Sequence, residues 1–180
     1  MGIKGRIVKS KNEIKPKRKI ILKNKKGLTH SDLVKKGIKW IRSQNGKNWN
    51  APISFGEVVS AGMETPDVMG FSSSSSTLIE CKVSKSDFNR DKKKMFRSIP
   101  QKGMGNYRLY MCPTGLISEE ELPDSWGLIY VSDGGKANLI VKPKSQYCNL
   151  QAEHAYMYSI MRRICNGTNN DIKDFLKKYT

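Results

Sequence analysis

Two charged residues, Glu80 and Lys82, stand within an apolar segment, residues 77–83, that has the composition of a buried strand. Successive side chains of a strand point to opposite faces, so Glu80 and Lys82 share one face with Leu78. The other face is mostly apolar and consists of Thr77, Ile79, Cys81 and Val83. Charged side chains are rarely buried unless they are paired or bind a metal. The pattern predicts a site at Glu80 and Lys82, and the alternative is an exposed Glu–Lys pair on a solvated strand.

A second acid, Asp67, follows a proline in the strand-like segment that precedes this one. If the two segments are neighbouring strands, Asp67 can lie next to Glu80. Mg²⁺ takes carboxylate oxygens as ligands while it keeps waters and substrate phosphate oxygens. It can polarise a phosphodiester and lower the pKa of a bound water, and a nearby ammonium can orient that water or stabilise charge on the phosphate. Asp67, Glu80 and Lys82 therefore predict a metal-dependent phosphodiesterase.

The order of the predicted elements supports this placement. A helix with apolar residues at helical spacing precedes three strand-like segments, 53–64 with a turn at Gly62, 65–71 and 77–83. A helix from Ser84 to Ser98, with Phe88, Met95 and Phe96 facing inward, and a strand near 107–112 follow. We predict an α/β (α+β) fold with an αβββαβ core, then a C-terminal hairpin and helices. The serine run 72–76 is predicted to be a flexible connection without chemistry.

Charge is concentrated at one end of the chain. The sequence carries a net charge of +17, and residues 1–26 hold eleven Lys or Arg residues and one acid. This pattern is typical of a polyanion partner, most often nucleic acid, although a solubilising or ribosome-adhering tail is the alternative. We therefore divide the chain into a basic N-terminal arm, residues 1–26, and a nuclease-like domain, residues 27–180.

Other function classes fit the sequence poorly. No segment approaches the roughly 18 apolar residues of a membrane span, so we expect no membrane partner. The four cysteines form no CxxC pair and only two histidines accompany them, which argues against a zinc site. Without a secretory signal, the cysteines are expected to be reduced thiols in the cytoplasm of a bacterial or phage-infected cell.

The motif "PDV" followed by "ECK" on the second and third strands of an αβββαβ order resembles the PD-(D/E)xK nuclease superfamily. Residues 79–97, "IECKVSKSDFNRDKKKMFR", are also similar to MmcB-type DNA-repair endonucleases and related phage and bacterial proteins. The segments "GMGNYRLYMCPTGLI" and "ELPDSWGLIYV" extend that similarity, which covers about residues 28–141. The resemblance implies a restriction-endonuclease-like core with a mixed central sheet.

The resemblance also implies roles for residues. Asp67 and Glu80 would bind Mg²⁺ or Mn²⁺, the backbone carbonyl of Cys81 would complete the site, and Lys82 would be the catalytic lysine. Many members add an acid from the first helix, but here that helix offers only Asp32, at its start. Glu57 is our preferred accessory acid, with Glu64 behind it, and the number of metal ions stays open.

The segment after the ECK motif supplies candidate DNA contacts. Its basic residues could bind phosphates, and the alternative is a solvated helix face; they are Lys85, Arg90, Lys92, Lys93, Lys94 and Arg97. Asp87 or Asp91 could pair with Lys82 or lie at a helix end. His30, just before the first helix, is interpreted as a residue of the helix cap.

These observations together predict a Mg²⁺-dependent deoxyribonuclease that hydrolyses DNA phosphodiester bonds in DNA repair, recombination or phage DNA metabolism. One alternative is a DNA-binding module whose site is catalytically idle. Another is a phage structural or packaged protein associated with nucleic acid. Cutting both strands of a duplex would need a dimer or two successive events, so a homodimer stays open.

Overall fold

The computed structural model describes residues 27–60 and 64–180. The predicted basic arm, residues 1–26, and the predicted turn at Gly62 lie outside these residues. The elements, in chain order, are helix α1 His30–Arg42, strands β1 Ile53–Gly56, β2 Val68–Phe71 and β3 Ser76–Cys81, helices α2 Lys85–Lys92 and α3 Met95–Ser98, a 3₁₀ turn Pro100–Lys102, strand β4 Tyr107–Pro113, a 3₁₀ turn Glu119–Glu121, strands β5 Gly127–Val131 and β6 Ala137–Val141, and helices α4 Leu150–Asn166 and α5 Asn169–Tyr179.

The six strands form one mixed sheet in the order β1-β2-β3-β4-β5-β6. The pairs β1–β2, β2–β3 and β5–β6 are antiparallel, whereas β3–β4 and β4–β5 are parallel. Helices α2 and α3 lie in the connection between the parallel strands β3 and β4. The predicted α+β class, the mixed sheet and the C-terminal hairpin with its following helices are confirmed.

Helix α1 covers one face of the sheet. Thr29 begins it, because its hydroxyl accepts a hydrogen bond from the Asp32 N–H while the Asp32 carboxylate accepts one from the Thr29 N–H, a reciprocal cap. The apolar side of the helix packs against the strands, and this core comprises Leu33, Val34, Ile38, Ile41, Ala51, Val68, Ile79, Cys81, Leu109, Met111, Ile129 and Val131. Ile79 and Cys81, on the predicted apolar face of β3, therefore pack against α1.

A second core lies on the opposite face of the sheet, and the C-terminal helices contribute to it. Three aromatic rings pack together there. Tyr110 stacks on Trp126 with 4.5 Å between ring centroids, and Phe88 meets Tyr110 edge to face at 5.0 Å. Tyr156 and Ile160 of α4 and Phe175 of α5 join this core, and so does Leu78. Glu80 and Lys82 share the face of Leu78, and this second core therefore surrounds the charged pair.

Helix α4 is attached to the beginning of β3 by a buried acid. Glu153 Oε1 accepts hydrogen bonds from the Ser76 hydroxyl at 2.7 Å and from the Gly105 N–H at 2.8 Å. Ser76 begins β3, and Gly105 lies just before β4. One carboxylate oxygen thus joins α4, β3 and the approach to β4.

Several predicted elements differ from the observed ones. The first strand covers only Ile53–Gly56 rather than 53–64, and the helix predicted over 84–98 is divided in two because Lys94 is extended. Met95, predicted to face inward, is exposed, since the break turns Arg97 inward instead. The serine run is not a flexible connection: the Ser72 N–H and hydroxyl both bond the Ser75 carbonyl, which closes a tight turn between β2 and β3.

Candidate active site

Glu80 and Lys82 are buried at the end of β3. Glu80 is 2% exposed and Lys82 is 5% exposed, so the alternative of a solvent-exposed pair is wrong. Lys82 Nζ donates to Glu80 Oε2 at 2.8 Å. A buried carboxylate and a buried ammonium at the end of a central strand therefore form the centre of the candidate site.

Asp67 joins this pair because of the strand register. Val68 of β2 lies opposite Ile79 of β3 in an antiparallel ladder, which brings Asp67 opposite Glu80. Asp67 Oδ2 accepts a hydrogen bond from the Cys81 N–H at 2.7 Å and lies 3.8 Å from Lys82 Nζ. The structure thus brings together Asp67, Glu80 and Lys82, the three predicted catalytic residues.

The Cys81 side chain points away from this cluster. It is buried in the core beneath α1, and burial raises the pKa of its thiol well above the usual value. These surroundings are those of a core side chain rather than a nucleophile. The predicted role of the Cys81 backbone carbonyl stays a prediction.

Arg97 completes the buried charge cluster. Its guanidinium contacts Glu64, lies 2.9 Å from Glu80 Oε1 through Nη2, and donates from Nε to Asp91 Oδ2 at 2.8 Å. The predicted phosphate contact by Arg97 is therefore wrong: the side chain is buried and pairs with three carboxylates. The same contacts place Glu64, predicted as a reserve accessory acid, in an internal ion pair.

Asp91 links this network to the lysine. Its Oδ1 lies 3.6 Å from Lys82 Nζ and 2.7 Å from Lys94 Nζ, and its Oδ2 also accepts the Tyr110 hydroxyl at 2.8 Å. Of the two acids predicted to pair with Lys82 or lie at a helix end, Asp91 pairs with Lys82. Asp87 lies in the first turn of α2, where its N–H bonds the capping Ser84.

Burial and neighbouring charges shift the ionisation of the site. Burial raises the pKa of Glu80 to about 7, although Arg97 opposes this. Burial also raises the pKa of Asp67, but the contacts with His30, Lys82 and the Cys81 N–H outweigh it and keep that pKa below its usual value. Burial lowers the pKa of Lys82, yet Glu80, Asp91 and Asp67 raise it above its ordinary value. Lys82 is therefore a persistent cation.

His30 contacts two predicted metal ligands, which its sequence pattern did not indicate. His30 Nε2 lies 3.3 Å from Glu57 Oε1 and 3.5 Å from Asp67 Oδ1. Contact with Asp67 raises the pKa of His30 to about 8. We interpreted it only as part of the helix cap. The signal was its position as the first residue of α1, which packs across β2, the strand that directly follows Asp67.

Glu57, the predicted accessory acid, follows β1 in the left-handed backbone region with φ of 54°. Its N–H bonds the Asp67 carbonyl at 3.0 Å, which holds it beside the site. Its side chain is about half exposed and is joined to Asp67 through His30. Glu57 therefore lies on the open side of the cluster, whereas Glu64 is part of its interior.

The other predicted phosphate contacts, on α2 and directly after it, differ in whether an acid already pairs with them. Lys85 contacts Glu121, Lys94 contacts Asp91, and Arg90 lies 3.4 Å from Asp87. Lys92 and Lys93 are exposed and have no carboxylate within 4.0 Å among the described residues. Of the six predicted phosphate contacts, Lys92 and Lys93 are thus the two without an ion pair in the described part of the chain.

The donor atoms suit a hard divalent cation, although they are not gathered around one. Asp67 and Glu80 offer carboxylate oxygens, and the buried Glu80 Oε1 accepts no well-aligned hydrogen bond despite the nearby Arg97. Within residues 27–60 and 64–180, however, no three His, Cys, Asp or Glu side chains are arranged to hold a metal. The ammonium of Lys82 and the guanidinium of Arg97 neutralise the acids, so a metal ion would compete with these ion pairs.

Comparisons with protein-family models, with curated proteins and with solved structures each returned no match. The resemblance to the PD-(D/E)xK superfamily therefore stays a prediction based on the motif. Among the helices that the structure describes, none is long and apolar enough to cross a membrane.

Proposed function

We propose that this protein is a Mg²⁺-dependent DNA nuclease of the PD-(D/E)xK superfamily, with a restriction-endonuclease-like core. The observation that carries the proposal is the position of Lys82 Nζ, buried 2.8 Å from Glu80 Oε2 and 3.8 Å from Asp67 Oδ2. The constellation that the motif requires is an acid directly before β2, Asp67, opposite an acid on the antiparallel strand β3, Glu80, with a lysine directly after β3, Lys82.

A contribution to folding stability does not explain why these charged residues are buried together. A buried ion pair loses hydration of both charges, and well-packed apolar residues in its place are often as stable or more stable. Perturbed ionisable groups that gather in one place are a common feature of functional sites. The buried acids Glu80, Glu64 and Asp91 with the buried cations Lys82 and Arg97 fit a site kept for chemistry better than a site kept for packing.

Each residue has a distinct role in the proposed reaction. Asp67 and Glu80 would hold the metal with the Cys81 carbonyl, and Glu57 is the accessory acid on the open side. A bound Mg²⁺ would supply Lewis-acid polarisation of the scissile phosphate. Lys82, fixed as a cation by its acidic neighbours, would stabilise the negative charge that develops on the phosphate. The hydrogen bond from the Cys81 N–H keeps the Asp67 carboxylate in one orientation.

The test is a cleavage assay on plasmid, linear duplex, single-stranded and branched DNA with Mg²⁺ or Mn²⁺. Glu80→Gln and Lys82→Met keep the side-chain size and remove the charge, and each is expected to lower the cleavage rate by about 100-fold or more. Lys142→Met, a change of an exposed lysine after β6, is the matched control and should cleave like the wild type. Cleavage that survives both site substitutions would refute the assignment.

A second candidate is a DNA-binding module with an idle site. It is favoured by one observation: both oxygens of Glu80 already face cations, Lys82 and Arg97. This candidate predicts binding to the same DNA substrates without cleavage of any of them in either metal ion. The same assay, run beside a binding measurement, separates the two functions.

A further inference from the structure

A groove between helices α1 and α5 lies beside the candidate site. It has a volume of about 280 Å³, and its walls include Lys35 and Lys39 of α1 and Lys177 and Lys178 of α5. Arg42, the last residue of α1, donates to the Thr180 carbonyl just past α5 at 3.3 Å, which joins the two helices at one end. The groove therefore has two fixed walls, and each wall carries two lysines.

The four groove lysines form no ion pair with a carboxylate of the described residues. All four are exposed, and none lies within 4.0 Å of a carboxylate in the part of the chain that the structure describes. Asp174, on α5 one turn before Lys178, makes no such contact either. Lys35 and Lys39 are four residues apart, so they occupy the same face of α1, where like charges repel. This repulsion lowers the stability of α1, and binding of a polyanion would relieve it.

The groove leads to the site. Glu57 and Gly56 form part of its wall, and Glu57 contacts His30, which contacts Asp67. Of the cations that the sequence favoured after the ECK motif, Lys85, Lys94 and Arg97 already pair with acids. Lys92 and Lys93 have no such partner among the described residues, but they do not line the groove. None of the four groove lysines is paired in this way, and they approach the site from the side where Glu57 and His30 are partly exposed.

We propose that the α1–α5 groove binds the phosphodiester backbone of one DNA strand and directs it to Asp67, Glu80 and Lys82. The groove is about as small as the smallest ligand pockets, so it suits a single sugar–phosphate chain rather than a duplex. Val34 and Ile38 lie at the floor of the groove, where both are nearly buried, so the charged walls supply most of the accessible surface. The direction of the strand toward the site rests on the proposed nuclease function; binding in the groove does not.

The experiment measures binding of the full chain to a fluorescently labelled oligothymidylate by anisotropy, with the metal chelated, over about 50 to 200 mM salt. The variant carries Lys35→Gln, Lys39→Gln, Lys177→Gln and Lys178→Gln. Each phosphate contact on single-stranded DNA contributes about −0.7 to the slope of log affinity against log salt, so the slope should become less negative by about 3. Circular dichroism melting checks that the variant is folded.

The matched control replaces four exposed lysines elsewhere, Lys102, Lys136, Lys142 and Lys144, with glutamine. This control should keep the wild-type slope to within about 0.7, the contribution of one phosphate contact. The proposal is overturned if both quadruple variants change the slope equally, or if polyglutamate competes as well as the oligonucleotide. It is also overturned if only duplex binding responds to the groove changes.

The two proposals fail separately. Binding is measured without metal, so an absence of cleavage in every assay leaves the groove result unchanged. Conversely, if the wild type cleaves and the groove variant keeps both its slope and its KM, the groove proposal falls while the nuclease assignment stands. If both hold, the groove variant should raise KM for single-stranded substrate while kcat is largely kept.

Discussion

Arg97 Nη2 lies 2.9 Å from Glu80 Oε1 in the interior of the protein, and the same guanidinium contacts Asp91 and Glu64. The Arg97 guanidinium carbon also lies 4.9 Å from the centre of the Trp126 ring, so its flat face is covered by an aromatic side chain. One cation therefore fixes a predicted metal ligand and also holds the short helix α3 against the sheet.

Arg97→Ala should destabilise the protein strongly. It leaves three buried carboxylates without their shared cation, and breaking a buried ion pair by removing one partner typically costs about 3–5 kcal/mol. Urea denaturation gives the free energy of unfolding. Arg90→Ala, a change of an exposed arginine on α2, is the control and should shift that free energy by less than about 0.5 kcal/mol. Similar losses in both variants would contradict the buried role of Arg97.

Glu80 should make stability fall as pH rises. Burial raises its pKa from 4.5 to about 7 in the folded protein. Between these values the folded state binds more protons than the unfolded chain, so the free energy of unfolding decreases as pH rises through this window. Glu80→Gln, which mimics the protonated form, should lose this dependence. Its free energy of unfolding should therefore rise relative to that of the wild type from about pH 5 to about pH 8. A constant difference between the two proteins across that range would count against the shift.

His30 should titrate above the usual range for a histidine. Contact with Asp67 raises its pKa from 6.5 to about 8, and the resulting stabilisation is present below pH 6.5 and is lost as pH rises through about 8. NMR titration of the imidazole C–H signals measures this directly, and His154→Gln assigns them because the chain has two histidines. In Asp67→Asn the pKa of His30 should return toward 6.5. If it does not, the contact between the two side chains is not the cause.

Gly56→Ala should be destabilising because the end of β1 is packed closely under α1. A Cβ atom at this position would lie 2.7 Å from Val34 Cγ1 and 3.0 Å from Ile38 Cδ1. Overpacking of this kind typically costs about 1–3 kcal/mol. Gly134→Ala is the control, since the nearest atom to its Cβ would be Ser132 Oγ at 3.8 Å. Thermal unfolding compares the two, and equal melting temperatures would contradict the close approach of α1.

The parts of the fold that the sequence predicts are those governed by local patterns. Alternation along residues 77–83 assigned Glu80 and Lys82 to one strand face, and helical spacing after Thr29 identified α1, whose end the structure places at Arg42. The thirteen positions from Asp67 to Glu80 suffice for a tight turn between antiparallel strands, and the structure has that pairing. These features depend on neighbours in the sequence.

The errors concern contacts between distant residues. Arg97 belongs to a strongly basic segment, and its exposure could not be distinguished from that of Lys93 without knowing that Glu64 and Glu80 lie beside it. His30 was missed for the same reason, because Glu57 and Asp67 are 27 and 37 positions away. Long-range charge pairing decides both cases, and neither periodicity nor composition reports it.

The hydrogen bonds of Glu153 have a consequence for how the chain could be shortened. Removal of α4 and α5 would leave the Ser76 hydroxyl and the Gly105 N–H without their shared acceptor. It would also uncover Leu78, whose neighbour two residues along the strand is Glu80. A fragment that ends near residue 145 retains every residue of the candidate site yet opens the apolar side of the strand that carries it. The smallest unit able to hold the acidic cluster in place therefore extends well beyond the segment that contains its motif.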